Sequence, residues 1–182
     1  MKPQIVATVD DITNPYIKRI LTNVIGKDPL KVLAQTPKQL RKLTKGLKKK
    51  QLRFEPAPGK WSIAQIVTHM ADTELVLAFR LRMALSQSGS ILQAMDQDKW
   101  AAGLNYQQAN LDDQLDLLSV VRKQHLALWN SLQEDDWQKF GMHEERGKET
   151  VERITQHYAG HDINHLNQIE AIRDSFKKKK KK

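Results

Sequence analysis

Residues 151–172 read VERITQHYAGHDINHLNQIEAI. Val151, Ile154, Tyr158, His161, His165, Gln168 or Ile169, and Ile172 recur there at steps of three and four. That spacing follows the α-helical turn and marks the inward seam of a bundle helix. At about 100° per residue, His161 and His165 fall within roughly 20° of the seam's centre. His157 belongs to the same His-x-x-x-His-x-x-x-His run but falls about 60° away. Two histidines one turn apart on a buried stripe need partners, because a dry, unbonded imidazole costs on the order of 1–3 kcal/mol. Positions i and i+4 can reach one metal ion, which satisfies both. The bland alternative is a pair of core histidines bonded to carbonyls or waters, and the spacing alone favours it. A third ligand would have to come from elsewhere in the chain. His69, His125 and His143 are the candidates, and periodicity does not choose among them.

Outward from this helix, which the pattern extends over about 150–176, the chain reads as helical almost throughout. Asn14-Pro15 opens a short helix carrying Ile17, Ile20, Leu21 and Val24, stopped by Gly26. Asp28-Pro29 and Thr36-Pro37 repeat the start signal, the second opening a helix with Leu40, Leu43 and Leu47 on one face. Residues 54–59, Phe-Glu-Pro-Ala-Pro-Gly, form an extended connection. Ser62 and Gln65 fit a capping box, with Trp61 and Ile66 as a hydrophobic staple, for a central helix reaching about Ser86. A long link to about Asn110 contains a short helix around Gln97–Ala101. Another helix covers about Leu111 to Leu132, followed by a polar loop with Gly141 and Gly147. No segment shows a strand's alternation. The fold expected is all-α, a four-helix bundle with extra N-terminal helices. Residues 1–27 read as a helical extension, 28–176 as the bundle, and 177–182 as a disordered lysine tail.

The 182-residue chain is 40% apolar, enough to bury a core, and 28% charged. It has no cysteine, which excludes disulfides, cysteine zinc sites and a protein-borne catalytic thiol. Neither common glycine-rich nucleotide loop is present. The net charge of +9 divides into +10 over residues 1–60, −7 over 61–176 and +6 in the terminal lysines. The basic cluster from Lys38 to Arg53 lacks interleaved aromatics and reads as a solvated face, so nucleic acid is not the expected partner. No run approaches a membrane span, and the N-terminal residues lack the apolar stretch of a signal peptide, so a cytoplasmic location is expected.

Three stretches carry a resemblance. Residues 58–74 read PGKWSIAQIVTHMADTE, residues 137–147 WQKFGMHEERG, and residues 157–169 HYAGHDINHLNQI. In this order they resemble the second helix, the late loop and the closing helix of the DinB-like superfamily (DinB/YfiT type). The likeness runs from about Asp28 to Arg173. It implies a bundle of up-down-down-up connectivity and a divalent metal held by one histidine of the second helix and two of the last. On this chain those are His69, His161 and His165. They are expected to gather at one end of the bundle interior, facing a pocket. His143 and His157 also match family positions, though not as ligands; His143 is a candidate to line the pocket.

Three imidazoles leave an ion with an open coordination position, as in catalytic sites. Relatives of this type include bacillithiol transferases and a mycothiol-dependent maleylpyruvate isomerase. The resemblance therefore implies a metal-dependent transferase that activates a low-molecular-weight thiol. The alternatives are a hydrolase using metal-activated water and a non-catalytic stress-response protein that binds metal or ligand. Zinc, nickel and iron(II) all suit imidazole. Asp72 and Glu74 are candidates to hydrogen-bond a ligand histidine's free nitrogen, although for Asp72 an exposed helix charge is the favoured reading. Arg122 is expected either to bind a substrate or cofactor carboxylate or to pair inside the molecule. A small-molecule substrate and a homodimer complete the expectations.

Overall fold

The computed structural model describes residues 3–179. Seven α-helices follow one another: α1 Pro15–Thr22, α2 Pro29–Thr44, α3 Lys49–Leu52, α4 Ile63–Ser86, α5 Gln97–Gly103, α6 Leu111–Ser131 and α7 Val151–Lys179. Among them α2, α4, α6 and α7 make the bundle, α2 and α4 each packing against both α6 and α7. Local chemistry sets the boundaries as expected. Asn14 Oδ1 accepts the backbone N–H groups of Tyr16 and Ile17 at 3.0 and 3.1 Å, with Pro15 in the first turn. At the start of α4, Gln65 N–H donates to Ser62 Oγ and Ser62 N–H to Gln65 Oε1, which closes the capping box. Lys177 to Lys179 of the lysine tail fall within α7, whereas Lys180 to Lys182 lie outside the described residues.

Two local expectations need correction. Pro37 does not open a helix; it lies inside α2, which is continuous from Pro29. Proline cannot donate to the carbonyl four residues back. That carbonyl, Leu33 O, instead accepts Arg122 Nη1 of α6 at 2.7 Å. A tertiary hydrogen bond thus replaces the helical one. The second correction is a small sheet. β2 (Phe140–His143) and β3 (Gly147–Thr150) form an antiparallel hairpin, and β1 (Ile91–Leu92) joins β2 in parallel. Strands this short give too few alternations to be legible. A Cβ on Gly141 would lie 2.4–2.8 Å from the Leu92 side chain, so the glycine is what lets β1 approach.

The bundle core divides into two apolar clusters. One includes Leu33, Leu77, Leu81, Trp129, Ile154 and Tyr158, together with Val6, Val9 and Leu21 of the N-terminal segment. The other includes Leu40, Ile63, Val67, Met70, Leu118, Leu166 and Ile169. Between them the helices carry buried polar side chains: His69 and Glu74 on α4, Arg122 and His125 on α6, His161, Asp162 and His165 on α7. The imidazoles therefore lie between two cores and not, as expected, at one end of the bundle. Among the described residues no helix is long and apolar enough to cross a membrane.

Candidate metal centre

The seam of α7 and the second turn of α4 bring three imidazoles into contact. His161 Nε2 lies 3.1 Å from His69 Nε2 and 3.0 Å from His165 Nε2. All three side chains are buried, and each offers a ligand atom within 4.8 Å of the others. His165 Nδ1–H donates to Gln168 Oε1 at 3.0 Å, which leaves its Nε2 with a free lone pair. The Trp61 ring packs against His69 with centroids 4.9 Å apart, restricting that imidazole from the solvent side of α4.

Hydrogen bonding alone does not satisfy this trio. An imidazole nitrogen has one in-plane valence, so His161 Nε2 cannot serve two neighbours fully. The Nδ1 atoms of His69 and His161 are also buried without a protein partner. Three imidazole nitrogens gathered this closely do fit a divalent cation. Ligands about 2.1 Å from a shared ion stand roughly 3.0–3.4 Å from each other at coordination angles of about 90–109°. Burial supplies the right protonation state. It pushes His69 down to about 3 and His165 to about 4, His165 adding to the effect on His69, and it holds His161 well below its usual value. All three are neutral and able to donate lone pairs at neutral pH.

The other histidines are placed elsewhere. His157 is buried off the cluster, its Nδ1 3.7 Å from Glu149 Oε1. His143 sits on β2, where its Nδ1 accepts Glu145 N–H at 3.2 Å, and it lines neither cavity beside the trio. His125 Nδ1 lies 2.7 Å from Glu74 Oε1.

Neither carboxylate proposed to support a ligand histidine does so. Asp72 Oδ2 accepts the Tyr106 hydroxyl at 2.6 Å. Glu74 is taken up by Arg122 in a bidentate pair of 2.7 and 2.6 Å, and Arg122 Nη1 also reaches Asp162 Oδ2 at 2.8 Å. Arg122 is thus the internal partner of two carboxylates, and not a substrate ligand. Burial alone would raise the Glu74 carboxyl, but Arg122 and His125 outweigh it and the net shift is downward. Asp162, with one Arg122 N–H, stays raised by burial.

Two cavities meet at the imidazoles, and His161 lines both. The larger, about 660 Å³, is walled by Tyr16, Arg19 and Ile20 of α1, by Trp61, and by His161 and His165. The smaller, about 250 Å³, runs from His69 to Arg80, with Tyr158 and Arg146 on its other walls. The α1 wall is possible because α7 has Gly160 beside His161. A Cβ there would sit 2.2 Å from Ile20 O, and Asn23 Nδ2 donates to Gly160 O across the same contact. Sequence reasoning overlooked Gln168 as a partner of His165, although its three-residue spacing placed it on the same face. It also overlooked Arg80, which follows His69, Thr73 and Val76 at steps of four, three and four.

A family model described as the DinB superfamily matches residues 33–169. A protein of Oceanobacillus iheyensis, named as a candidate metal-dependent hydrolase, is 24% identical over 152 residues, covering 84% of this chain and 88% of that protein. One of Bacillus cereus with the same description is 27% identical over 156 residues, covering 86% and 90%. Among solved structures, YfiT from Bacillus subtilis superposes with a TM-score of 0.77 at 21% identity, over 81% of this chain and 85% of that one. It is described as a probable metal-dependent hydrolase with an unusual four-helix bundle topology, and the likeness shows a shared fold.

Proposed function

This chain belongs to the DinB superfamily, and on that premise we propose that it is a metal-dependent hydrolase of a small molecule. His69, His161 and His165 hold the divalent ion. The observation that carries the reading is the meeting of three buried, neutral imidazole Nε2 atoms at the junction of two cavities. A divalent ion bound there supplies a Lewis acid that polarises a carbonyl or phosphoryl group and acidifies water. The chain's own residues prepare the place for it. Burial keeps protons off the three imidazoles, Gln168 fixes the tautomer of His165, and Trp61 shields His69. The names of the relatives favour hydrolysis over the thiol transfer that the sequence resemblance implied.

Metal analysis combined with a turnover panel tests this. Purified protein should take up one divalent ion per chain, and chelation should abolish hydrolysis of responsive esters or amides. His161→Ala or His165→Ala should lower metal affinity by at least a hundredfold, while His157→Ala largely spares it. Turnover that requires an added low-molecular-weight thiol would move the assignment to transfer. Stoichiometric metal with no turnover would leave a non-catalytic binding protein.

A further inference from the structure

We infer that the smaller cavity is an oxyanion subsite, built around Arg80 of α4, that anchors a carboxylate or phosphate group of the substrate beside the imidazole centre. Arg80 is 6% exposed, and among the described residues no carboxylate lies within ion-pair distance of it. Its Nη2 donates to the backbone carbonyl of Gln93 and its Nη1 to the Tyr158 hydroxyl at 3.4 Å. Its Nε is buried with no partner. These neutral acceptors orient the guanidinium without cancelling its charge. The other deeply buried arginine, Arg122, has two carboxylates, and Arg146 is held bidentately by Glu149 at 2.9 and 2.8 Å. Arg80 thus presents a desolvated cation to an open cavity, an arrangement that favours an incoming anion.

The surroundings agree. Arg146 lines the same cavity and adds a second guanidinium, although its charge is shared with Glu149. Glu145 lines it too, but is solvent-exposed. Burial first, then Arg146 and Arg80, push nearby His143 down to about 4, against an opposing effect of Glu149. A volume of about 250 Å³ accommodates a small charged group and a few carbons, below the usual range for whole drug-sized ligands. One face of α4 carries His69, Thr73, Val76 and Arg80 along its wall. A ligand anchored at Arg80 therefore extends toward the imidazoles. That the ligand is hydrolysed there rests on the metal-dependent hydrolase reading; the anion site itself does not need the ion.

The test uses the full chain freed of metal, titrated separately with inorganic phosphate and with acetate. Binding is followed by calorimetry and by the ¹H–¹⁵N signal of Arg80 Nε. One anion should bind per chain, and the Arg80 signal should move in step with saturation. Arg80→Gln should weaken binding at least tenfold while its zinc or nickel uptake stays within about twofold of wild type. Tighter phosphate binding assigns phosphate esters, and tighter acetate binding assigns carboxylates. Equal binding by Arg80→Gln, or no saturable binding of either anion, overturns the proposal. Should Arg80→Gln fail to fold, the wild-type signal decides, and a resonance unmoved at saturation refutes it. A chain that binds the anion at Arg80 but takes up no metal would sustain this inference and sink the hydrolase reading.

Discussion

Each residue of the polar layer has a meaning fixed by its partners, and that is where sequence reading reached its limit. His161 and His165 were legible because their spacing put them on a buried seam. His69 stood beside His125 and His143 as a candidate third ligand until the family resemblance chose it, since periodicity did not separate the three. Glu74 looked like a support for a ligand histidine because both face inward on α4. A single strand of text does not show that Arg122, on α6, claims it instead. The pair is 1% exposed on both sides, and His125 shares the carboxylate. Removing one member of a buried ion pair leaves the other uncompensated, which costs about 3–5 kcal/mol. Glu74→Ala should therefore lower unfolding free energy by about that amount in urea titrations of metal-free protein. A loss below about 1 kcal/mol would mean that Arg122 finds adequate charge compensation in Asp162 alone.

At the scale of elements, caps and periodicity placed the helices well because these signals are local. Asn14, Ser62 and Gln65 each act within one turn of where they stand. The failures were elements whose existence depends on distant contacts. The break expected at Pro37 is repaired from α6, and the three short strands form only because the chain returns to the same place twice. The contact between α1 and α7 belongs to this class, and it forms the outer wall of the larger cavity. Its tolerance is small. Gly160→Ala would put a methyl group 2.2 Å from the Ile20 carbonyl oxygen, so α1 must shift or lose its seat. Overpacking of this kind costs typically about 1–3 kcal/mol. The variant should melt lower than wild type, with faster amide exchange concentrated in α1. Gly103→Ala, which meets no atom within 4 Å, is the control and should leave stability nearly unchanged. Equal melting temperatures for the two variants would show that α1 is not held by this contact.

For the molecule as a whole, buried groups with lowered pKa values make stability rise with pH, against an opposite contribution from Asp162, whose carboxyl burial raises. Burial, reinforced by Arg146 and Arg80, pushes His143 down to about 4 from an ordinary value of 6.5. Burial also lowers His157. In Glu149 burial acts upward, but His157 and Arg146 outweigh it and hold the carboxyl well below 4.5. Below its ordinary pKa each of these lowered groups binds a proton more readily in the unfolded chain than in the folded one. Stability then rises with pH through that window. For His143 the contribution is complete above about pH 6.5 and is lost as pH falls through 4. For Glu149 it is complete above about 4.5 and is lost at lower pH. Acid should therefore destabilise the protein in two stages, the first beginning while Glu149 is still charged. The imidazoles of the metal centre titrate with the same sign, so the share of His143 is read as a difference. Chemical denaturation of metal-free wild type and His143→Gln should give a shallower decline for the variant between pH 6.5 and 4, with slopes converging below 4. Parallel curves across the upper window would show that His143 takes up its proton equally well in the folded and the unfolded chain.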